Sequence, residues 1–512
     1  MEPCTVVIIG ASGDLAQRKI IPSLFSLFQN NTLPDPFLIV GCSRTKMDDS
    51  AFRDKMISAI DRKNGPHSQK RELFFQSLFY RSIDYKNPES YKKLAELIER
   101  LEKDRGMPAN RIFYLAIPPV LYETTARMLG EAGLSEETQG GGWSRIVVEK
   151  PFGKDLASAR HLDGILHQYF KEPQIFRIDH YLAKETVQNI ILFRFANTLF
   201  EPVWSRHYIE SVRITAAESL GIEHRAGYYE QSGVLRDMFQ NHMMQLLALT
   251  AMEPPSMFEA DRIRDEKVKI YRSLRPFPVD RLDDFIVLGQ YGPGAVNGRI
   301  VPGYREESGV SPESLNPTFA MMKVFVDNWR WQGVPFFLSS GKRLEQKRTR
   351  IVIDFKEVPH AMFRRTPGGD IPANRLILGI YPEERISMTF QAKTPGNRVR
   401  LRPVTMELPY YQENDLPVLD SYEKVLQDCI SGDQTLFWRQ DGVELCWSFL
   451  QPILDACETC SDRPDKLHIY SAGSRGPEAA GMFSLKRLKN REQTCNESLL
   501  SPGRKRPHGT RF

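Results

Sequence analysis

Residues 5–28 read TVVIIGASGDLAQRKIIPSLFSLF, and this stretch decides how the first third of the chain folds. Thr5–Ile9 is a β-branched run of the kind that packs well on a pleated surface. It ends at Gly10, and from Leu15 to Phe28 apolar residues return at helical spacing. A strand, a tight turn and a helix are therefore expected in that order. The small residues Gly10, Ala11, Ser12 and Gly13 let a backbone come close to a pyrophosphate, and free N–H groups at a helix start attract its charge. The spacing departs from GxGxxG, and a helix cap by Ser12 or Asp14 is the other reading of the same residues.

Outward from this unit the pattern repeats. Phe37–Val40 reads as a second strand, Ile112–Ile117 as another closed by Pro118 and Pro119, and Ile146–Val148 as one more before Glu149-Lys150-Pro151. Alternating strands and helices favour a parallel α/β sheet, whose ligands lie beyond the carboxyl ends of its strands. Gly10, Arg44, Pro118 and Lys150 would all fall there. Arg44 stands where an NAD enzyme would place an acid on the ribose hydroxyls. A guanidinium there can clasp a ribose phosphate, so NADP is expected over NAD, with a solvated arginine as the alternative.

Around Ile178 the pattern changes. Asp179–Leu199 reads as a long helix, and Ile209–Ala216, Ala320–Val326, Arg350–Phe355 and Arg375–Ile380 read as strands of an α+β second domain. The expected division is residues 1–178, 179–485, and a basic, disordered tail over 486–512 that contains SPGRKRPHGTR.

Bulk properties exclude several classes. A chain of 512 residues is too long for one ordinary core, and 41% apolar with 26% charged residues suits a globular protein. The net charge of +5 is small for this length and argues for neither nucleic acid nor a membrane surface. Met1–Gly10 lacks the features of a secretory signal, and apolar stretches such as Met243–Met252 are too short to span a bilayer. Seven scattered cysteines suit a reducing compartment, so the cytoplasm is expected. Cys457 and Cys460 form a CxxC with no companion pair, and no metal site is expected. No period of repeats is present.

Three further segments carry chemistry. In Glu149-Lys150-Pro151-Phe152-Gly153, the proline can force a tight or cis turn that aims Lys150 into the cleft. In Arg177-Ile178-Asp179-His180-Tyr181-Leu182-Ala183-Lys184, a helical reading puts His180 and Lys184 on one face, where two cationic groups suit a phosphate. Arg236–His242 leads into an apolar helix. His242 is the side chain best placed to take a proton near neutral pH, with Asp179 or Asp237 able to orient its other nitrogen. Each of these residues also has an ordinary structural reading as a surface or packing group.

Taken in order, GASGDLAQRK, EKPFGKD, RIDHYLAKE and RDMFQNHMMQ resemble the glucose-6-phosphate dehydrogenase family, from about Thr5 to about Pro477. The resemblance implies a Rossmann-like coenzyme domain followed by a larger domain with an extensive, mostly antiparallel sheet whose outer face serves dimerisation, hence a homodimer or homotetramer. It implies oxidation of glucose 6-phosphate at C1 with NADP, the first oxidative step of the pentose phosphate pathway. By resemblance His242 is the general base and Asp179 its orienting partner. His180, Tyr181 and Lys184 form a phosphate grip with Lys347 nearby, and Lys150, Glu218, Asp237 and Lys342 hold sugar hydroxyls. Gly10, Ala11, Ser12, Gly13, Asp14, Leu15, Arg44 and Tyr122 match the coenzyme site; Lys150 faces both ligands, Lys19 lies near both, and Pro151 sets them relative to each other.

The chain also departs from the family pattern. Gln17 stands where a lysine is frequent, which would loosen a phosphate contact, and Ala183 replaces a usual glycine. Ser339 and Gly379 occupy positions where arginines would mark an additional structural NADP, so one cofactor per subunit is expected. Arg475 replaces a common tryptophan. Two alternatives stay open at this point: a Rossmann-type dehydrogenase of another hexose phosphate, and a non-catalytic NADP-binding sensor.

Overall fold

A computed structural model describes residues 1–64, 69–137, 142–360, 362, 371–397, 399–411, 419–459 and 463–483. Its first strand, β1 (Cys4–Ile9), is buried along its whole length, as a continuous apolar run requires when both faces of a sheet are covered. It is joined by β2 (Phe37–Ser43), β3 (Leu78–Ser82), β4 (Arg111–Leu115), β5 (Ser144–Val148) and β6 (Ile175–Ile178). These six pair in parallel in the order β6-β5-β4-β1-β2-β3. Strand order therefore reverses between β1 and β4, and the crevice at their carboxyl ends is the natural ligand site of such a sheet. The strands read from sequence are all present; β3 and β6 were not anticipated.

The second sheet takes β7 (Ile209–Ala217), β8 (Ile286–Gly292), β11 (Phe319–Phe325), β12 (Pro335–Gly341), β13 (Arg348–Phe355), β14 (Arg375–Tyr381), β15 (Arg385–Lys393), β16 (Leu401–Pro409) and β18 (Leu467–Ser471). Between them lie the small hairpin β9 (Gly294–Val296) and β10 (Arg299–Val301), and the two-residue β17 (Phe437–Trp438). The order is β16-β15-β14-β13-β7-β12-β11-β8-β18, and all pairings are antiparallel except β7 with β12 and β8 with β18. Along β7, buried Val212, Ile214 and Ala216 alternate with part-exposed Arg213 and Thr215. The buried face joins Leu246, Leu247, Phe336, Ile351 and Ile353 in one core, so helices cover one side of this sheet.

One sequence expectation fails here. Asp179–Leu199 is not a single helix: the helix runs over Glu185–Phe195, preceded by a turn. The Asp179 carboxylate accepts the Tyr181 N–H at 3.0 Å, the Asp179 carbonyl accepts the Leu182 N–H, and Lys184 is extended as the helix N-cap. An aspartate that bonds its own downstream backbone competes with helix formation. His180 and Lys184 consequently do not share a helix face.

After the second sheet the chain returns to the first. The helix Ser421–Ser431, capped by Asp420, buries Val425, Leu426, Cys429 and Ile430 in the same core as Leu24 and Leu27. β17 then pairs antiparallel with the end of β6, Phe437 opposite Ile178 and Trp438 opposite Arg177. Cys460 and the tail over 486–512 lie outside the described residues.

Candidate active site

The Gly-rich turn sits at the strand-order reversal. Gly10 has φ of +95°, and a Cβ there would meet the Ala116 carbonyl oxygen at 2.2 Å, so only glycine lets β1 turn this close to β4. The amides of Gly10 and Ala11 donate to the Cys42 carbonyl, which locks the turn to β2. The helical run begins at Asp14, whose carboxylate pairs with Arg18 on the surface, and the Ser12 hydroxyl accepts from Thr45. The cap reading of Ser12 and Asp14 is thus set aside, and the helix start is open to an anion. The Gln17 amide donates to the Ser12 and Gly13 carbonyls at 2.9 and 3.1 Å and stiffens the turn. Lys55, not singled out from sequence, adds a third bond to this turn, at the Ser12 carbonyl.

Arg44 follows β2, is exposed, and lies 5.7 Å from the Tyr85 ring. Lys19, also exposed, lies 3.9 Å from the Asp420 carboxylate and 5.5 Å from the Tyr422 ring, so a helix from late in the chain closes this side. Tyr122 behaves differently from expectation. Its side chain is fully buried and its hydroxyl donates to the Glu149 carbonyl, so it props the Glu-Lys-Pro turn from beneath and offers little surface to a ligand.

The Lys150–Pro151 bond is cis. Glu149, to which sequence reasoning gave no role, is the hub of a buried cluster: Tyr114 donates to it at 2.6 Å and His180 Nε2 lies 3.1 Å away, with the Tyr422 hydroxyl 3.2 Å from the same ring nitrogen. Burial pushes the Glu149 carboxyl up, but His180, the Tyr114 hydroxyl and Lys150 outweigh it and hold it below the ordinary value. His180 Nδ1 is buried without a partner.

His242 lies in Leu235–Met243, a π-helical stretch whose wider turn is common at functional sites. Its Nδ1 is 2.5 Å from Asp179 Oδ1, and its Nε2 is 3.0 Å from Lys150 Nζ. An ammonium only donates, so Nε2 is the unprotonated nitrogen and Nδ1 carries the proton toward Asp179. Of the two aspartates weighed from sequence, the structure selects Asp179. Burial pushes the Asp179 carboxyl up, yet His242, the Tyr181 amide and Lys150 bring it down to about 2. For His242, burial dominates and, with the charge of Lys150, outweighs Asp179 to leave its imidazole below the ordinary value.

Around this dyad the sugar-side residues converge. Lys150 Nζ also bonds the Asp237 carbonyl and carboxylate at 2.9 and 3.2 Å. Lys342 pairs with Glu218 at 2.5 Å and lies 4.0 Å from Asp237. Tyr228 and Arg225, neither anticipated, also approach Asp237. Tyr181 stacks on the His242 ring with centroids 4.2 Å apart, and Lys184 Nζ lies 4.0 Å above the Tyr181 ring. Burial, then the charge of Lys347, pulls Lys184 down to about 8. Lys184 thus meets the Tyr181 ring and His180 the Glu149 cluster, and the two do not come from one helical face.

Two outlying positions behave differently. Ser339 lines a cleft of about 610 Å³ with Arg348 and Arg350. At Gly379 a Cβ would meet the Glu383 carbonyl oxygen at 1.9 Å, so no arginine fits. Elsewhere Asp163, His167 and Glu172 gather their ligand atoms within 4.8 Å, but Arg177 already bonds Asp163 and Glu172 at 2.5 and 2.8 Å and supplies the positive charge there.

Comparison with known proteins identifies the family. Residues 7–189 match the family model described as glucose-6-phosphate dehydrogenase, NAD binding domain, and residues 191–491 match the corresponding C-terminal domain. The chain is 43% identical over 479 residues to a glucose-6-phosphate 1-dehydrogenase of Aggregatibacter actinomycetemcomitans, covering 94% of this chain and 95% of that one. With the Bacillus subtilis enzyme of the same name it shares 42% over 473 residues, 92% and 95% of the two chains. A solved glucose-6-phosphate dehydrogenase in complex with glucose-6-phosphate superposes with a TM-score of 0.86 at 35% identity, over 94% of this chain and 97% of that one. A Mycobacterium avium glucose-6-phosphate 1-dehydrogenase gives 0.78 at 32%, over 94% and 96%.

Proposed function

The chain belongs to the glucose-6-phosphate dehydrogenase family, and from that premise we propose that His242 is the base of the reaction and Asp179 the carboxylate that holds it. The enzyme oxidises D-glucose 6-phosphate at C1 to 6-phospho-D-glucono-1,5-lactone with NADP as acceptor. The observation that carries the base assignment is the Asp179–His242–Lys150 line, which leaves His242 Nε2 unprotonated and facing a donor.

The uncapped helix start, the close approach at Gly10 and the exposed guanidinium of Arg44 fit the pyrophosphate and ribose phosphate of NADP. When bound, NADP accepts the hydride that leaves C1. The C1 hydroxyl displaces Lys150 from His242 Nε2 and gives its proton to that nitrogen. Asp179 then stabilises the imidazolium. Lys150, released, donates to the sugar and coenzyme, while Lys342 donates to the sugar hydroxyls and the Glu218 and Asp237 carboxylates accept from them. Lys184, Lys347, Tyr181 and the unpartnered Nδ1 of His180 take the phosphate at the opposite end of the sugar.

Residues 1–178 are assigned to the coenzyme and 179–485 to the sugar, with β17 and Tyr422 lent back to the first sheet. The hairpin β15–β16 exposes Phe390, Val404, Met406 and Leu408, with Phe390 opposite Val404 in register. Such an apolar strip supports self-association as a dimer or tetramer. Buried thiols at Cys4, Cys42, Cys429 and Cys446, in no disulfide, support a cytoplasmic location; among the described residues no helix is long and apolar enough to cross a membrane.

The test is steady-state reduction of NADP and NAD with several hexose phosphates. Turnover of glucose 6-phosphate with NADP is expected to exceed the others. Binding of NADP with no turnover of any hexose phosphate would replace the enzyme by a sensor.

A further inference from the structure

The dyad has a third member that its sequence motifs do not contain. Asp179 Oδ1 is taken by His242 Nδ1 and the Tyr181 amide; the other oxygen, Oδ2, faces the indole Nε1 of Trp438 at 3.4 Å. Trp438 is 2% exposed and arrives from 259 residues downstream on β17. Because Trp438 pairs with Arg177 in register, its backbone is fixed two residues from the aspartate it serves. Behind it the indole stacks on Tyr271, with centroids 5.8 Å apart and planes 25° apart. The Tyr271 hydroxyl and Lys267 Nζ both donate to Gln245 Oε1, at 3.4 and 3.0 Å, and Gln245 is three residues past His242 on the same helical run. Strand, indole, tyrosine and glutamine thus close a buried loop that returns to the histidine.

We propose that Trp438 is a positioning residue for the reaction: its indole N–H holds the second oxygen of Asp179, so that the first stays aligned with His242 throughout proton transfer. The inference rests on the reading of His242 as base. A carboxylate gripped at one oxygen only can rotate about its Cβ–Cγ bond and lose that alignment. Removing the indole donor also leaves more negative charge facing the imidazole, which favours the protonated ring. The charged groups that face the dyad from neighbouring elements are Lys150, Lys184, Lys267 and Asp237, and Trp438→Phe leaves each of them in place; burial pushes the Tyr181 and Tyr271 hydroxyls up, so both stay neutral.

The test is Trp438→Phe in the full-length enzyme, with Tyr271→Phe as a control that disturbs the same packing layer without touching Asp179. Loss of one such bond is expected to lower kcat roughly three- to tenfold, to leave KM for glucose 6-phosphate within about twofold, and to move the acidic limb of kcat/KM to higher pH. Tyr271→Phe should leave the limb in place. A Trp438→Phe enzyme with the parent's limb and kcat, or equal shifts in both variants, would overturn the proposal. If Trp438→Phe does not fold, benzothienylalanine at position 438 keeps the ring shape without the N–H, and the same two outcomes decide. Failure of the base reading is separable, because it shows as undiminished turnover in His242→Asn.

Discussion

The two ends of the substrate site are built on opposite principles. At the dyad, Asp179, His242, Lys150 and Asp237 form one hydrogen-bonded line in which each finds a partner within about 3.2 Å. At the phosphate end Lys184 faces an aromatic ring and a second lysine, and its charge is disfavoured by burial and by Lys347. The first end is satisfied before any ligand arrives, and holds its atoms in place. The second is electrostatically frustrated, and the phosphate dianion proposed to bind there would relieve it. Pre-organisation belongs where protons move; an unmet positive field belongs where the substrate must be attracted and anchored.

The largest test of that contrast is His242→Asn, which should lower kcat by roughly a hundredfold or more with sugar-phosphate affinity largely kept. Steady-state kinetics that show equal turnover in variant and parent would erase the distinction between the two ends. Lys184→Ala should do the reverse, raising KM for glucose 6-phosphate by roughly ten- to a hundredfold while kcat changes little, since a charge-assisted bond to phosphate contributes roughly 1.5–3 kcal/mol. An unchanged KM would remove Lys184 from the phosphate end. Arg44→Ala, remote from both ends, should narrow the preference for NADP over NAD by about tenfold, read as a ratio of kcat/KM values; persistent selectivity would mean that another group reads the ribose phosphate.

The smallest effects lie in pH. His242 acts as a base only when unprotonated, and its imidazole is held below the ordinary value, so the acidic limb of kcat/KM should lie below that of a free histidine. Lys150→Ala removes one of the causes and should move that limb upward. Lys184 grips phosphate only when charged and sits at about 8, so KM should climb as pH rises past that value. Lys347→Ala should shift the onset of this climb to higher pH, although KM itself is larger; an onset that does not move would mean the two lysines do not sense each other.

Much of this was legible in the chain because the information is local. β1, the turn at Gly10 and the helix after it are contiguous, and their period and small residues suffice to read them. RIDHYLAKE and RDMFQNHMMQ, quoted together, already paired Asp179 with His242. The helical reading of His180–Lys184 failed for an equally local reason that periodicity does not register: the Asp179 carboxylate bonds the Tyr181 amide and turns the chain before the helix begins. Tyr422, Tyr114, Lys55 and Trp438 escaped because each is an ordinary residue in its own neighbourhood and acquires meaning only from a partner far along the chain.

From the sequence by itself came the strand-turn-helix unit and the cationic residue after the second strand, since residue type and short spacing are enough to specify them, while the roles of the acid, the base and the lysines came from the family resemblance. Tertiary structure alone decided which ring nitrogen is left to receive a proton and that a tryptophan 259 residues away backs the carboxylate. Those are matters of distance and direction between segments that only a folded chain brings together, and hydrogen bonds, unlike residue preferences, exist only at such distances.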